Sequence, residues 1–216
     1  SEPTPSGAIA NLFPGSFALV MATGIIAIGT DQQGLDVIAA VLYAIAAAAY
    51  AVLWVLLLIR IIRYPRLFWA DATDHAKGFA FLTTVAATNV LGSASGVVYG
   101  WWDLAWTLWW ASLPMYAALM YITLIAVVIL DDKPGLDGGI NGTWFLMIVS
   151  TQSIAALGAL LLVQHPDDLL AFAVIAFFAL GIVLYVIVMT MVFLRWTFLQ
   201  LDPTEASPPA WIAAGA

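Results

Sequence analysis

The sequence predicts an all-α integral membrane protein assembled from helical hairpins, and three observations carry that prediction. The first is composition: 64% of residues are hydrophobic and 9% charged, with a mean hydropathy of +1.02, whereas about a quarter of residues are charged in soluble chains. The second is the clustering of those charges. It leaves uncharged runs that match a hydrocarbon core needing roughly 20 apolar residues per helix. The third is an alternation along the chain between runs rich in small and hydroxyl residues and runs that are mostly Ala, Leu, Val, Ile and aromatics. Helices satisfy their own backbone hydrogen bonds, which lipid cannot do for them, and the short alternating segments of a membrane barrel are missing from the pattern.

Six apolar segments follow in order: Phe13–Thr30, Leu35–Ile62, Phe79–Tyr99, Leu104–Leu130, Thr143–Val163 and Leu169–Leu199. They form one transmembrane domain over 1–216, with a tail over 200–216. The breaks at DQQG, RYPRLFWADATDHAKG, YGWWD, DDKPGLDGG and QHPDD all carry Gly, Pro or Asp, residues that stop helices and build turns. Segment one opens on Pro14-Gly15 and carries Ser16, Thr23 and Thr30 at sevenfold spacing. Segment two is Ala, Leu, Ile and Val with aromatics. In segment three, Thr84, Thr88, Gly92 and Ser95 are separated by four, four and three residues, a spacing that places them on one stripe of a helix. Asn89 stands beside that stripe. Segment four is oily, with Pro114 in its interior, and Trp101, Trp102, Trp106, Trp109 and Trp110 gather where it begins. Tryptophans at that position read as an interfacial belt; a ligand cage is the alternative reading. Segment five brings Ser150, Thr151, Gln152, Ser153 and Gly158, and segment six is again oily. Proline removes a backbone hydrogen bond, so Pro14-Gly15 at the start of segment one and Pro114 within segment four can break or bend their helices, and Gly92 is a further expected helix-breaking position.

This alternation predicts inner odd-numbered helices and outer, lipid-facing even ones. The positive residues give the orientation. Arg60, Arg63, Arg66, Lys77, Lys133 and Arg195 all fall on one side if every segment crosses, and Asp31, Asp36, Asp103, Asp167 and Asp168 fall on the other. The positive-inside rule then makes both termini of this chain cytoplasmic in a multi-pass protein of the cell membrane.

Several chemistries are excluded. With no Cys there is no thiol catalysis and no cysteine metal site. His75 and His165 lie in or beside loops with no second ligand at helical spacing, so no metal is expected. GSASG (Gly92–Gly96) lacks a membrane histidine to activate a serine, so there is no catalytic set and the chain is not an enzyme. No cofactor is implied. The net charge of −7 argues against nucleic acid, and the spans hold none of the central carboxylates of proton-coupled machines.

An uncharged lining of hydroxyls suits a small anion that must be stabilised without being trapped. The expected pore-lining residues are Ser16, Thr23, Thr84, Thr88, Asn89, Ser95, Ser150, Gln152 and Ser153. The alternative is a non-transporting scaffold or assembly subunit, because small residues and hydroxyls also pack membrane helices closely.

Four stretches in order resemble one family. FPGSFALVMATGIIAIG (Phe13–Gly29), DHAKGFAFLTTVAATNVLGS (Asp74–Ser93), NGTWFLMIVSTQSIAALGALL (Asn141–Leu161) and PPAWIAAGA (Pro208–Ala216) are similar to the tellurite-resistance/dicarboxylate transporter family, related to the plant slow-type anion channels. The resemblance implies a fold of about ten helices in five hairpins, with the odd helices around a central pore and the even ones in an outer layer. It further implies a homotrimer in the lipid bilayer, carrying C4-dicarboxylates such as malate, sulfite, tellurite-type or inorganic anions. By that pattern this chain holds the first six helices and stops as the seventh begins, so the family's aromatic gate in the ninth helix has no counterpart here.

The orientation is tested by terminal fusions. A fluorescent protein at either end is expected to be bright, and a phosphatase that folds only outside the cytoplasm is expected to be inactive at both. An active phosphatase at either end reverses the assignment.

Overall fold

The computed structural model describes residues 7, 9–129, 131, 133–135 and 139–200. The PPAWIAAGA stretch and the tail beyond residue 200 lie outside the described residues. Six helices are long and apolar enough to cross a membrane: Pro14–Asp31, Asp36–Arg63, Gly78–Tyr99, Trp102–Ile129, Gly142–Gln164 and Asp168–Phe198. Every one of the six segments marked in the sequence is found.

The odd spans share a construction. Each opens with a 3-10 turn, at Pro14–Phe17, Gly78–Leu82 and Gly142–Phe145, and continues as an α-helix: α1 (Ala18–Asp31), α4 (Thr83–Tyr99) and α6 (Leu146–Gln164). The even spans are the longer α2 (Asp36–Arg63), α5 (Trp102–Ile129) and α7 (Asp168–Phe198). Between α2 and α4, a stretch with no span in it forms the short helix α3 (Pro65–Ala72). Proline at its first position has no amide to leave unpaired, and Phe68 anchors it on Phe81 at 5.1 Å.

Turn chemistry explains the boundaries. Gly34, with φ 74°, closes the α1–α2 turn by donating its amide to Asp31. Gly100, with φ 68°, ends α4: its amide donates to the Gly96 carbonyl and that of Trp101 to Ser95. The first of these is the single bond of a left-handed helix stop. Asp167 caps α7 by accepting from the Leu170 amide at 2.8 Å.

The residues named as helix breakers stand in different settings. Pro14-Gly15 starts a 3-10 turn at the head of α1. Gly92 lies inside unbroken α4, where a Cβ would stand 2.7 Å from Leu157; its smallness serves close helix approach. α5 likewise runs unbroken through Pro114.

The alternation of inner and outer helices is a structural fact. Of an 18-residue stretch in each span, 39, 83 and 56% is buried in the odd spans, against 17, 28 and 11% in the even ones. Helix α4 is the centre, packed on α1 at one side and α6 at the other. Gly24 admits Val90 where a Cβ would lie 2.7 Å from it. The outer helices turn Val37, Val52, Val55, Phe172, Ile175 and Phe178 outward.

The cation-bearing end is knitted by side chains that reach backbone carbonyls ahead of the inner helices. Arg60 of α2 is 2% exposed. Its Nε donates to the Ala10 carbonyl at 3.2 Å, and its Nη2 pairs with Asp71, which also accepts from Lys77 at 3.1 Å. Arg195 of α7 donates to the Ile140 carbonyl at 2.6 Å. In both cases an outer-helix arginine holds the segment leading into the inner helix of its own hairpin. α5 has Ala126 ten residues after Tyr116, where α2 has Arg60 after Tyr50 and α7 has Arg195 after Tyr185. The middle hairpin is held from its neighbour instead. Thr143 and Asn141 donate to Ala76 at 2.8 and 3.2 Å, and the Trp144 indole donates to His75 at 3.1 Å.

Removing a buried charge that satisfies a carbonyl and a carboxylate leaves both partners short. Arg60→Ala is expected to lower unfolding stability in detergent by about 3 kcal/mol, whereas the exposed Arg63→Ala is expected to stay within about 0.5 kcal/mol. Equal losses for the two variants would show that the Arg60 contacts are not structural.

Candidate functional site

The hydroxyls of the inner helices form two kinds of contact. Most donate to their own helix one turn back: Ser16 to Phe13, Thr23 to Leu19, Thr84 to Phe81, Thr88 to Thr84, Ser95 to Leu91, Ser150 to Met147 and Ser153 to Ser150, all between 2.7 and 3.0 Å. Such bonds keep a hydroxyl satisfied inside an apolar layer. Several of the same oxygens then accept from a second helix.

Three tyrosines of the outer helices make those second contacts. Tyr43 meets Ser95 at 2.9 Å, Tyr50 meets Thr88 at 2.8 Å and Tyr116 meets Thr151 at 2.7 Å. The direction of each bond follows from chemistry. Ser95, Thr88 and Thr151 already donate their hydrogens to Leu91, Thr84 and Met147. A hydroxyl has one hydrogen and two lone pairs, so the tyrosine is the donor in each pair. The topology repeats as well: α2 and α5 each reach the inner helix of the following hairpin.

The expected stripe of α4 therefore divides. Thr88 and Ser95 face the tyrosines of α2. Gly92 faces α5 and α6, where a Cβ would lie within 3.6 Å of Leu157, Leu108 and Ala105. Thr84, Thr88, Ser95 and Ser150 are all buried. Gln152 donates to the Phe178 carbonyl of α7 at 3.3 Å and covers Gly181, whose missing side chain makes room for it. Ser16, Thr23 and Ser153 keep part of their surface open.

One pair joins two inner helices. Asn89 Nδ2 donates to Ser153 Oγ at 3.0 Å across the α4–α6 seam. Since the Ser153 hydrogen goes to Ser150, Ser153 can only accept, and this settles which end of the amide faces it. Asn89 is 1% exposed, and its Oδ1 has no hydrogen-bond partner among the described residues. A buried carbonyl oxygen without a donor is rare and costs about 1–3 kcal/mol. The tyrosine contacts and this orphaned oxygen escaped sequence reasoning. Spacing shows which residues share a face and says nothing about what that face meets. Among the described residues no group of three or more His, Asp or Glu side chains is arranged to hold a metal ion.

The tryptophan cluster also divides. Trp101 and Trp110 are half exposed, whereas Trp109 is 3% exposed and donates its indole N–H to the Ile154 carbonyl at 2.9 Å. Trp102 lies over Gly96, where a Cβ would stand 2.4 Å from its ring.

A family model described as SLAC1, voltage-dependent anion channel, matches residues 11–216. No curated protein and no solved structure matches the chain.

The bond directions predict an asymmetry. Tyr50→Phe removes a donor and leaves a hydroxyl that still bonds its own helix, so its cost is about 1 kcal/mol. Thr88→Val strands the Tyr50 hydroxyl and is expected to cost more, about 2 kcal/mol. Combining them is expected to recover part of that loss in a double-mutant cycle read by unfolding. Additive effects would mean that the two hydroxyls are not coupled.

Proposed function

The chain belongs to the voltage-dependent anion channel (SLAC1) family, and on that premise we propose that a small anion crosses the membrane along the seam of the inner helices α1, α4 and α6. Membership makes the chain a multi-pass anion transport protein of the membrane and not an enzyme. The observation that carries the pathway is the character of the inner spans. Gly78–Tyr99 and Gly142–Gln164 contain no charged residue, and Pro14–Asp31 carries only its terminal Asp31. Yet these are the most buried spans and, for their length, the richest in Ser and Thr. Weak dipoles without a fixed positive charge lower the barrier for an anion and still let it leave.

Within the expected lining, Ser16, Thr23, Asn89 and Ser153 are the residues proposed to meet the solute. Thr84, Thr88, Ser95 and Ser150 support the wall from within the packing, and Gln152 supports it from the α7 side. The orphaned Asn89 Oδ1 calls for a hydrogen-bond donor. The hydroxyl of a C4-dicarboxylate such as malate, or the proton of hydrogensulfite, supplies one directly; a halide supplies one only through a bound water. A homotrimer in the cell membrane, with both termini of this chain cytoplasmic, completes the proposal.

The hydrogen bonds between helices also favour a second reading, in which the hydroxyls serve packing alone and the chain is a scaffold. Because the chain has no Cys, single cysteines separate the two. Cysteine at Thr23 or Ser153 is expected to react with a hydrophilic thiol reagent in membranes, and cysteine at Thr88 to resist it. If none of the three reacts, packing is the role of these residues.

Flux tests the pathway itself. Vesicles carrying the protein are expected to take up labelled malate or release sulfite faster than chloride. Asn89→Ala is expected to change oxyanion flux by about fivefold, the worth of one hydrogen bond of about 1 kcal/mol. Oxyanion flux indifferent to both Asn89→Ala and Ser153→Ala would remove the seam from the path.

A further inference from the structure

At the acidic end of the bundle, opposite the cluster of arginines, lies a cavity of about 760 Å³ between the start of α5, the α6–α7 turn and the start of α7. That volume lies within the usual range for small-ligand pockets. Trp106, Trp109 and Trp110 form one wall, His165 and Pro166 the turn, and Asp103 and Asp167 also line it. Trp110 stands at 75° to Trp106 and 83° to Trp109, which themselves stack at 22°. The wall is therefore a corner of indole faces. The His165 ring closes on Trp106 edgewise, with centroids 6.3 Å apart.

A simple interfacial belt does not account for this arrangement. Belt tryptophans direct their N–H groups to the headgroup layer, as the exposed Trp101 and Trp110 are free to do. Trp109 is instead buried with its N–H tied to Ile154, and Gly158 leaves the space its indole occupies, a Cβ there lying 3.1 Å from Nε1. The wall is thus braced from inside by the third hairpin. Its charge is also one-sided. All six Lys and Arg residues belong to the opposite end, and among the described residues neither Asp103 nor Asp167 has an ion-pair partner. One oxygen of Asp167 caps α7; the Asp103 carboxylate makes no bond of this kind.

Indole faces beside uncompensated carboxylates attract organic cations through the ring quadrupole and the negative charge together. They repel the anions that this family carries, so the cavity is not a vestibule for the transported solute. We propose that this cavity binds an alkylammonium group, with the Trp106–Trp110 corner receiving the ammonium and Asp103 and Asp167 balancing its charge. Two sources share that chemistry: the headgroup of an ethanolamine or choline lipid in the adjacent leaflet, and a free amine in the aqueous phase. The site is independent of the anion pathway proposed above.

The test uses the full chain purified in detergent, titrated with free ethanolamine or choline, or reconstituted into vesicles of phosphatidylethanolamine or phosphatidylglycerol. Thermal unfolding and tryptophan fluorescence are the readouts. Saturable stabilisation by the ammonium lipid over the glycerol lipid assigns the headgroup, and saturable stabilisation by the free amines assigns a soluble ligand. In either case Asp103→Asn and Trp106→Leu are expected to weaken half-saturation by about tenfold, while Trp101→Leu, outside the cavity, leaves it unchanged. Equal stabilisation by phosphatidylglycerol excludes the headgroup and, where the free amines also give no saturable response, overturns the proposal. So does a response that survives both cavity variants, and so does the absence of any saturable response.

Discussion

Backbone polar groups immersed in lipid must find partners within the protein, and in this chain the demand is greatest where the inner helices begin. Residues just ahead of each 3-10 turn belong to no helix, so their carbonyls have no ladder to join. Ala10, Ala76 and Ile140 receive Arg60, the Thr143–Asn141 pair and Arg195. The turn itself is tied too: the Thr83 hydroxyl points its one hydrogen to Ala80 at 2.7 Å and, as the weaker arm of a shared bond, to Pro14 of the first hairpin at 3.2 Å. These bonds fix where each inner helix starts, and the start sets the rotation of the whole helix.

Rotation decides which hydroxyl meets which neighbour. Once α4 is seated, Thr88 and Ser95 come under the α2 tyrosines, Asn89 reaches Ser153 on α6, and Gly92 lies against α5 and α6. The same uncharged surface thus serves cohesion and, by the proposal made for this family member, passage. There is no conflict between the two. A hydroxyl that donates to its own helix retains lone pairs for a neighbouring helix, and an amide with one free oxygen retains an acceptor for a solute. Small residues add the close approach, as Gly24 does for Val90 and Gly181 for Gln152.

Charge is distributed by end and not by helix. Arginines serve as internal fasteners at one end, buried beneath α3 and the segments leading into the inner helices. The other end carries carboxylates and indoles without a basic partner. Between the two ends the inner spans carry no charged residue apart from the terminal Asp31. That is consistent with a conduit that stabilises its solute weakly along its length.

Sequence by itself determined the number and limits of the spans, because span length and hydropathy answer to the thickness of the bilayer and the breaks to Gly, Pro and Asp. It also determined the inner and outer assignment, since only a helix shielded from lipid retains so many hydroxyls, and the 83% burial of the third span matches its composition. Tertiary structure alone decided the partners. Thr84, Thr88, Gly92 and Ser95 share a stripe by periodicity, yet a helical period has no knowledge of the surface opposite, and packing divided the stripe between α2 and the α5–α6 side. Arg60 and Arg195 read from sequence as cations near the membrane surface; folding places them among carbonyls distant in the chain. The free oxygen of Asn89 was likewise settled by a hydrogen that the Ser153 hydroxyl gives to Ser150, a direction that local helix geometry decides.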